Sequence, residues 1–180
     1  MSVTIKGHVG YYCGGMNQKA NIYIEGNAGT GLGENMMSGT IHVKGNASQS
    51  AGATAHGGTI IIDGDASSRC GISMKGVDII VKGSVGHMSA FMAQAGTLMI
   101  CGDAGDALGD SIYETVIYLA GKPKSLGVDC IEKKITKIDL KKIENLIKVG
   151  NIKKLKAHNF KKFGSARKLY NFNIDNVSDY

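Results

Sequence analysis

Ile22-Tyr-Ile-Glu-Gly-Asn-Ala-Gly29 returns 19 residues later as Ile41-His-Val-Lys-Gly-Asn-Ala-Ser48, and again as Ile60-Ile-Ile-Asp-Gly-Asp-Ala-Ser67. The central glycine of each copy belongs to a series with this same spacing and no insertion: Gly7, Gly26, Gly45, Gly64, Gly83, Gly102 and Gly121. A fixed period of about 20 residues is typical of solenoids, in which every repeat forms one coil and neighbouring coils stack. The sequence therefore predicts seven stacked coils over residues 1–121, and these seven glycines are the predicted structural residues.

Each of these glycines follows a short apolar segment with strand character. Strand side chains alternate between two faces, so each segment directs two residues inward. All of the inward positions are aliphatic: Val3, Ile5, Ile22, Ile24, Ile41, Val43, Ile60, Ile62, Ile79, Val81, Leu98, Ile100, Ile117 and Leu119. This continuous column predicts an all-β rod with a core along its axis.

Charges just before the glycines support the register of the coils. Lys6, Glu25, Lys44, Asp63 and Lys82 alternate in sign, so a slip by one coil would place like charges side by side. Glycine, asparagine, aspartate and serine follow the strands and predict tight or left-handed turns. A second glycine column predicts a corner where coils crowd together, and Ala90 is its one exception: Gly14, Gly33, Gly52, Gly71 and Gly109.

The segment 122–180 differs from the coils and is predicted to be a basic tail, helical and then extended. Thr136 and Asp139 indicate a helix start and Gly150 its end. The predicted apolar side of this helix consists of Ile138, Ile143, Leu146 and Ile147. A weaker second helical stretch is predicted around Ile152, Leu155, Phe160 and Phe163, and residues 167–174 alternate like an extended strand.

Charge separates the two parts of the chain. Residues 1–121 contain 6 basic and 9 acidic side chains, a net of −3, whereas residues 122–180 contain 15 and 6, a net of +9. One interpretation is that the tail binds nucleic acid, but neither aromatic residues in a basic groove nor a known nucleic-acid motif accompanies the charge. The other is that the tail docks on an acidic partner or folds over its own acidic rod.

Several classes of protein are not indicated. No apolar run approaches the length of a membrane span and no signal peptide is evident. The four cysteines have neither a CxxC spacing nor a shared column on adjacent coils, which predicts a reduced, cytoplasmic chain without a disulfide or zinc site. A free-standing hydrolase such as an esterase is an alternative, but the Gly-x-Ser-x-Gly signature of a nucleophile elbow is missing.

Long segments carry a resemblance to a known family, among them Gly29-Thr-Gly31-Leu-Gly33, Gly7-His-Val-Gly-Tyr-Tyr-Cys-Gly-Gly-Met16 and Gly86-His-Met-Ser-Ala-Phe-Met-Ala-Gln-Ala-Gly96. Over about residues 3–170 the chain resembles the GXGXG-motif β-helix domains. These include the C-terminal domain of the glutamate synthase large subunit and the stand-alone third subunit of archaeal-type glutamate synthases and N-methylglutamate synthases. The C subunit of formylmethanofuran dehydrogenase is similar and is an alternative relative.

The resemblance implies a right-handed parallel β-helix that holds other subunits of an oxidoreductase of nitrogen metabolism together. It places FMN, the iron–sulfur clusters and the glutaminase residues on partner subunits, so no catalytic residue, cofactor or metal site is expected on this chain. Family members carry an extension before the first coil. Here a partner or a second copy of the chain is expected to cover the open first coil.

One cluster on adjacent coils is a candidate partner interface. It combines methionine and phenylalanine with cationic side chains, which is typical of protein interfaces, although core packing explains such residues equally well. Its members are Arg69, Met74, Lys75, His87, Met88, Phe91 and Met92.

Overall fold

The seven predicted strands lie side by side in one parallel sheet. The computed structural model describes residues 1–168. Its strands are β1 (Ser2–Ile5), β2 (Asn21–Ile24), β3 (Thr40–Val43), β4 (Thr59–Ile62), β5 (Lys75–Val81), β6 (Ala95–Ile100) and β7 (Val116–Leu119). Paired residues are 19 apart, as in Val3 with Ile22, except at a bulge in β5 where Lys75 pairs with Ala95. From β1 to β7 the chain makes six turns, so the predicted all-β solenoid is confirmed.

The inward column forms the core that the sequence predicts. From Ile24 onward all of its side chains are fully buried, whereas Val3 is 39% exposed and Ile5 and Ile22 are partly buried. This difference arises because β1 pairs only with β2 within the sheet of residues 1–168. Small and aliphatic side chains close the core from the opposite wall, including Leu32, Ala51, Cys70 and Leu108.

A ladder of side-chain acceptors joins successive turns just after each structural glycine. Asn27 Oδ1 accepts a hydrogen bond from the Asn46 N–H at 2.8 Å, and Asn46 Oδ1 accepts one from the Asp65 N–H at 2.8 Å. The same bond recurs between every pair of neighbouring coils, with His8, Asn27, Asn46, Asp65, Ser84 and Asp103 as acceptors and Lys122 as the last donor.

This ladder explains why the structural column is glycine. A Cβ at Gly45, Gly64 or Gly83 would overlap the acceptor oxygen of the preceding coil, and none of these three residues has a positive φ. Close approach therefore requires these glycines, rather than the left-handed backbone that the turn composition suggests. Positive φ is characteristic of the second column, with φ from 57° to 70° at Gly14, Gly33, Gly52, Gly71, Ala90 and Gly109, whereas in the first column it occurs at Gly7, in the first coil (119°).

The coil pattern continues beyond Gly121, where the sequence predicts that it fails. Pro123 forms a parallel bridge with Ala104 at the regular spacing, and the register shortens by one residue only at the bridge from Leu108 to Leu126. At this position in other coils the N–H donates to the next coil, as from Ala104 to the Lys122 carbonyl. Proline has no N–H, so Pro123 ends this series of backbone hydrogen bonds between coils without leaving an unpaired donor.

Only one of the predicted charge contacts between neighbouring coils forms an ion pair in residues 1–168. Lys82 Nζ lies 2.7 Å from Asp63 Oδ1, whereas Lys6, Glu25 and Lys44 form none in this part of the chain. The alternation of sign thus agrees with the register but contributes little direct pairing.

The tail folds back over the rod and extends its sheet. It consists of β8 (Cys130–Lys133), α1 (Lys137–Val149), a 3₁₀ turn (Ala157–Asn159) and β9 (Lys161–Ser165). β9 lies between β7 and β8 and is antiparallel to both, so it covers the edge that β7 would otherwise expose. The predicted start of α1 is confirmed by a reciprocal capping box between Thr136 and Asp139, and its end by Gly150.

A second core forms between α1 and the outer face of the sheet. Ile143 and Leu146 of the helix are buried against outward side chains of the last coils, namely Ile61, Ile80, Met99 and Tyr118. Burying a side chain of this size contributes about 1.5–3 kcal/mol, so this contact fixes the helix on the rod.

Three details of the predicted tail differ from the structure. Ile138 is 80% exposed and does not belong to the apolar side of α1. Phe160 follows the 3₁₀ turn and packs in the second core, and Phe163 lies in β9 and packs in the first, so neither is helical. The strand predicted over 167–174 falls almost entirely outside the described residues.

Candidate partner-binding surfaces

The wall opposite the sheet, called here the second wall, has an unusual backbone that determines where its side chains lie. Three alternate positions in each coil adopt positive φ, as at Tyr12 (56°), Gly14 (69°) and Met16 (54°). Inter-coil hydrogen bonds hold this conformation, because the N–H of Tyr12 donates to Thr30 at 2.8 Å while that of Gly33 donates back to Cys13 at 2.9 Å. The second wall therefore presents its outward residues at the same places in successive coils.

The GXGXG segment shows how glycines leave space for neighbouring side chains and backbone on the second wall. A Cβ at Gly29 would lie 2.7 Å from the Gly10 backbone, and one at Gly31 would lie 2.5 Å from the ring of Tyr12. Gly33 has a positive φ of 64°, and a Cβ there would meet Ile60 Cδ1 in the core at 2.7 Å. The motif thus allows two coils to approach closely and gives the tyrosine ring a place to lie, which is a structural role.

The predicted interface is only partly at the surface. Arg69 and His87 are exposed on neighbouring coils, where the Arg69 N–H donates to the His87 carbonyl at 2.9 Å. Met92 is 39% exposed, and Met88 and Phe91 are half-buried. These five residues form the coil-5 patch: Arg69, His87, Met88, Phe91 and Met92.

Two of the seven predicted interface residues lie elsewhere. Met74 is fully buried within the first core, and so it packs inside the rod rather than facing a partner. Its position near Gly71, where a Cβ would meet its sulfur at 3.1 Å, shows that it fills the corner of a coil. Lys75 is exposed, but it is the first residue of β5 and therefore belongs to the sheet rather than to the second wall.

The most exposed apolar cluster lies on the first coil and was not predicted from the sequence. Tyr11, Tyr12 and Met16 are 76%, 60% and 72% exposed, and Met37 in the next coil is 44% exposed. The two tyrosine rings meet edge to face with centroids 6.5 Å apart. These four residues form the coil-1 patch, and three of them, Tyr11, Tyr12 and Met16, lie on the segment 11–16 that the sequence singled out only as a family match.

The outer face of the sheet carries a charged cluster that the sequence also did not reveal. Asp63 Oδ1 contacts His42 Nε2 at 2.9 Å and Lys82 Nζ at 2.7 Å. Partial burial would raise the pKa of Asp63, but hydrogen bonds from Lys82 and His42 outweigh it and lower the pKa below its usual range. Within residues 1–168 His42 has no hydrogen bond to a serine or cysteine, so this His–Asp pair lacks the nucleophile of a catalytic triad.

A buried carboxylate holds the tail on the rod. Asp139 of α1 is 5% exposed and accepts hydrogen bonds from Tyr118 of β7 at 2.7 Å and from Thr136 at 2.7 Å. Lys162 of β9 forms an ion pair with it at 2.8 Å. Burial alone would raise the pKa of Asp139, but these three donors hold the pKa far below its usual range, and burial together with Asp139 raises the pKa of Tyr118.

Some basic side chains of the tail form ion pairs with acidic side chains of the rod. Lys142 pairs with Asp78 at 2.6 Å and Arg167 pairs with Glu114 at 2.7 Å, and both bonds join tail to coil. These contacts agree with the interpretation that the tail folds over its own acidic rod.

The cysteines do not fit an iron–sulfur cluster. Cys70 and Cys130 are buried in the first core and Cys101 borders the second. Burial raises the pKa of Cys70 and Cys130 to about 12 and that of Cys101 to about 11, which disfavours the thiolate form that ligates metals. Across residues 1–168 no group of three or more His, Cys, Asp or Glu side chains could hold a metal ion. In the same range, no helix has the length and apolar character needed to cross a membrane.

Comparison with known proteins agrees with the repeat architecture. The sequence model of a family described as the GXGXG motif matches residues 1–174. Protein GlxC from Rhizobium meliloti (strain 1021) is 55% identical over 178 residues, which is 99% of this chain and 78% of that protein. A match over nearly the whole chain, together with the solenoid and the Gly29–Gly33 segment, confirms the resemblance stated from the sequence. The chain belongs to the GXGXG motif family.

Proposed function

We propose that the chain is a structural subunit that assembles a glutamate-synthase-like oxidoreductase complex. The observation that carries this proposal is the coil-1 patch, where Tyr11, Tyr12 and Met16 are each at least 60% exposed. Aromatic and methionine side chains are enriched at protein interfaces, and exposed clusters of them mark interaction sites. Membership of the GXGXG family supports the type of complex, and the coil-5 patch on the same wall gives a second contact area.

FMN, the iron–sulfur clusters and the glutaminase residues belong, in this proposal, to partner subunits. The buried cysteines and the structural role of the glycine motif support this assignment for residues 1–168. A cytoplasmic location is proposed with it, because four free cysteines are typical of a reducing compartment. Within residues 1–168 no strand pairs with the outer edge of β1, and we propose this edge as a further contact area for a partner or for a second copy of the chain.

Affinity capture of the tagged chain from its own cells, with FMN and glutaminase assays on the eluate, tests the proposal. The wild-type chain is expected to recover both partners. A Tyr12→Ser/Met16→Ser variant is expected to recover much less of them, because it removes two of the four apolar side chains of the coil-1 patch. Ile138→Ser is the matched control, since it also removes an exposed apolar side chain but lies on α1.

The same eluate distinguishes the alternatives. A molybdenum- or tungsten-containing partner without FMN would indicate a formylmethanofuran-dehydrogenase-type complex. A chain that elutes alone and hydrolyses an ester or a glycan would overturn the structural role and make the rod an enzyme.

A further inference from the structure

The outward side of α1 carries a row of lysines. An α-helix turns by about 100° per residue, so positions 137, 141 and 148 fall within about 40° of one another around its axis, in a row about 16 Å long. The buried Ile143 and Leu146 lie on the opposite side of the same helix. These three exposed residues form the lysine face: Lys137, Lys141 and Lys148.

The lysine face belongs to a surface whose positive charge is not balanced by the rod. Lys142 pairs with Asp78 of the rod at 2.6 Å, and Lys162 pairs with Asp139 at 2.8 Å. Between residues 134 and 156, however, Glu144 is the one exposed acidic residue. Seven exposed lysines in this range form no ion pair within residues 1–168: Lys134, Lys137, Lys141, Lys148, Lys153, Lys154 and Lys156.

Most of the lysine face does not stabilise the helix on which it lies. Lys137 is the first residue of α1, where the partial positive charge of a helix N-terminus repels a cation. Lys137 and Lys141 are four residues apart, a spacing at which like charges destabilise a helix. Of the three lysines, only Lys148 in the last turn is favoured by the helix dipole. The row therefore indicates binding rather than folding.

We propose that the lysine face docks a separate acidic protein. Charge complementarity identifies this partner, because an acidic protein surface neutralises the unbalanced lysines and is attracted to them over a distance. Ile138 and Val149, which are 80% and 45% exposed, lie on α1 beside the face and add apolar contact of the kind found in protein interfaces. Since α1 packs on the outer face of the sheet, this partner binds on the other side of the rod from the second wall. The proposal does not depend on which complex the second wall assembles.

Nucleic acid and membrane surfaces fit the lysine face less well. The aromatic side chains between residues 122 and 168 are Phe160 and Phe163, which are 3% and 2% exposed and cannot stack on bases. Arg167, the arginine of this range, is paired with Glu114. A helix that binds a membrane surface needs a free apolar face, whereas the apolar face of α1 is buried in the second core.

Photo-crosslinking in an extract of the cells that produce the chain tests the proposal. A photoreactive benzoylphenylalanine replaces Asn145 of the full chain, an exposed residue of α1 beside the lysine face. We expect a cross-link to one protein, through a peptide rich in aspartate and glutamate. The yield should fall at least tenfold between about 0.05 and 0.5 M sodium chloride, because salt screens contacts between exposed charges.

Two variants with the same loss of net charge locate the contact. Lys141→Gln/Lys148→Gln is expected to lower the yield at least fivefold, and glutamine is a good helix former, so α1 is retained. Lys6→Gln/Lys44→Gln removes two exposed lysines of the rod and is expected to keep the yield of wild type. Equal yields in the two variants would overturn the proposal, because the attraction would then come from the net charge of the whole chain. A nuclease-sensitive product, a lipid product or the absence of any product would overturn it as well.

Discussion

At the scale of single residues, the two glycine columns have different physical roles. Gly45 and Gly64 are required because an acceptor side chain of the preceding coil occupies the place of a Cβ. Gly14 and Gly52 combine a positive φ with a close approach to the core, because a Cβ would lie 2.5 Å from Ile41 Cδ1 at Gly14 and 2.4 Å from Ile79 Cδ1 at Gly52. Ala90 in the same column shows that the positive φ alone does not require glycine. A period of glycines alone does not distinguish these roles. The acceptor residues one position after each glycine of the first column are the sequence signal that does.

Gly29→Ala and Gly10→Ala test the role of close approach. The two glycines occupy the same position in neighbouring coils, but a Cβ at Gly29 would lie 2.7 Å from backbone atoms while one at Gly10 would meet nothing within 4 Å. We expect Gly29→Ala to lower the free energy of unfolding by about 1–3 kcal/mol, because the coils must shift apart. Gly10→Ala is expected to change it by less than about 1 kcal/mol, in the stabilising direction, because alanine restricts the unfolded chain. Urea unfolding measures both, and equal losses would contradict this explanation.

At the scale of elements, the contact between α1 and the sheet could have been predicted from the outward strand positions. Thr4, Tyr23 and His42 are polar or amphipathic there, whereas the next three residues of the same column, Ile61, Ile80 and Met99, are apolar. That change from polar to apolar side chains indicates that another part of the chain packs on the outer face of the sheet at the later coils. The helix itself was predicted because its caps are local signals, whereas its place on the rod depends on long-range contacts.

Leu146→Ala and Ile138→Ala compare the two faces of this helix. Leu146 is 1% exposed in the second core and Ile138 is 80% exposed. We expect Leu146→Ala to reduce the stability of the docked tail by about 2–5 kcal/mol, since it leaves a cavity, and Ile138→Ala to change it by less than about 0.5 kcal/mol. Limited trypsin digestion at the tail lysines provides the measurement, with rapid cleavage expected only in Leu146→Ala. Similar digestion of both variants would show that the helix is not held by its inner face.

Asp139→Asn tests the buried carboxylate, and its effect depends on pH. Removing the charge leaves Lys162 unpaired in a buried place, so we expect a loss of about 3–5 kcal/mol near pH 7. The folded pKa of Asp139 lies below the unfolded value of about 3.9, so its contribution is present above that value and declines as pH falls through it. The difference between wild type and variant should therefore narrow below about pH 4. Urea unfolding at pH 7 and pH 3 measures it.

Glu132→Gln is the control for this pH effect, because the ion pair between Lys161 and Glu132 is exposed at both side chains. We expect it to have little effect at either pH, as exposed pairs contribute at most about 1 kcal/mol. A constant difference between wild type and Asp139→Asn from pH 7 to pH 3 would contradict the assignment of a depressed pKa to this carboxylate.

At the scale of the whole molecule, the two ends of the rod differ in how the sequence specifies them. The regular coils follow from a period that is visible in the chain. The distal end does not, because β9 inserts between β7 and β8 in antiparallel orientation, and its pairing with β7 joins residues more than 40 positions apart. The alternation of Lys161 to Ser165 was hidden by the spacing of Phe160 and Phe163, which imitates a helix. For the candidate interface, composition could not separate buried from exposed members, since Met74 and Met92 have the same composition signal but opposite burial.

Hydrogen exchange along the rod tests the difference between its ends. β1 is exposed along most of its length, whereas β4, β5 and β6 are paired on both sides and lie beside the second core. Local opening needs least free energy where few contacts are broken, so amides of β1 should exchange fastest and those of β4 to β6 slowest. Repeating the measurement at increasing protein concentration tests the proposed contact through the first coil. Rising protection confined to β1 would support a second copy on that edge, whereas protection of β1 equal to that of β5 in dilute solution would contradict the uncovered edge itself.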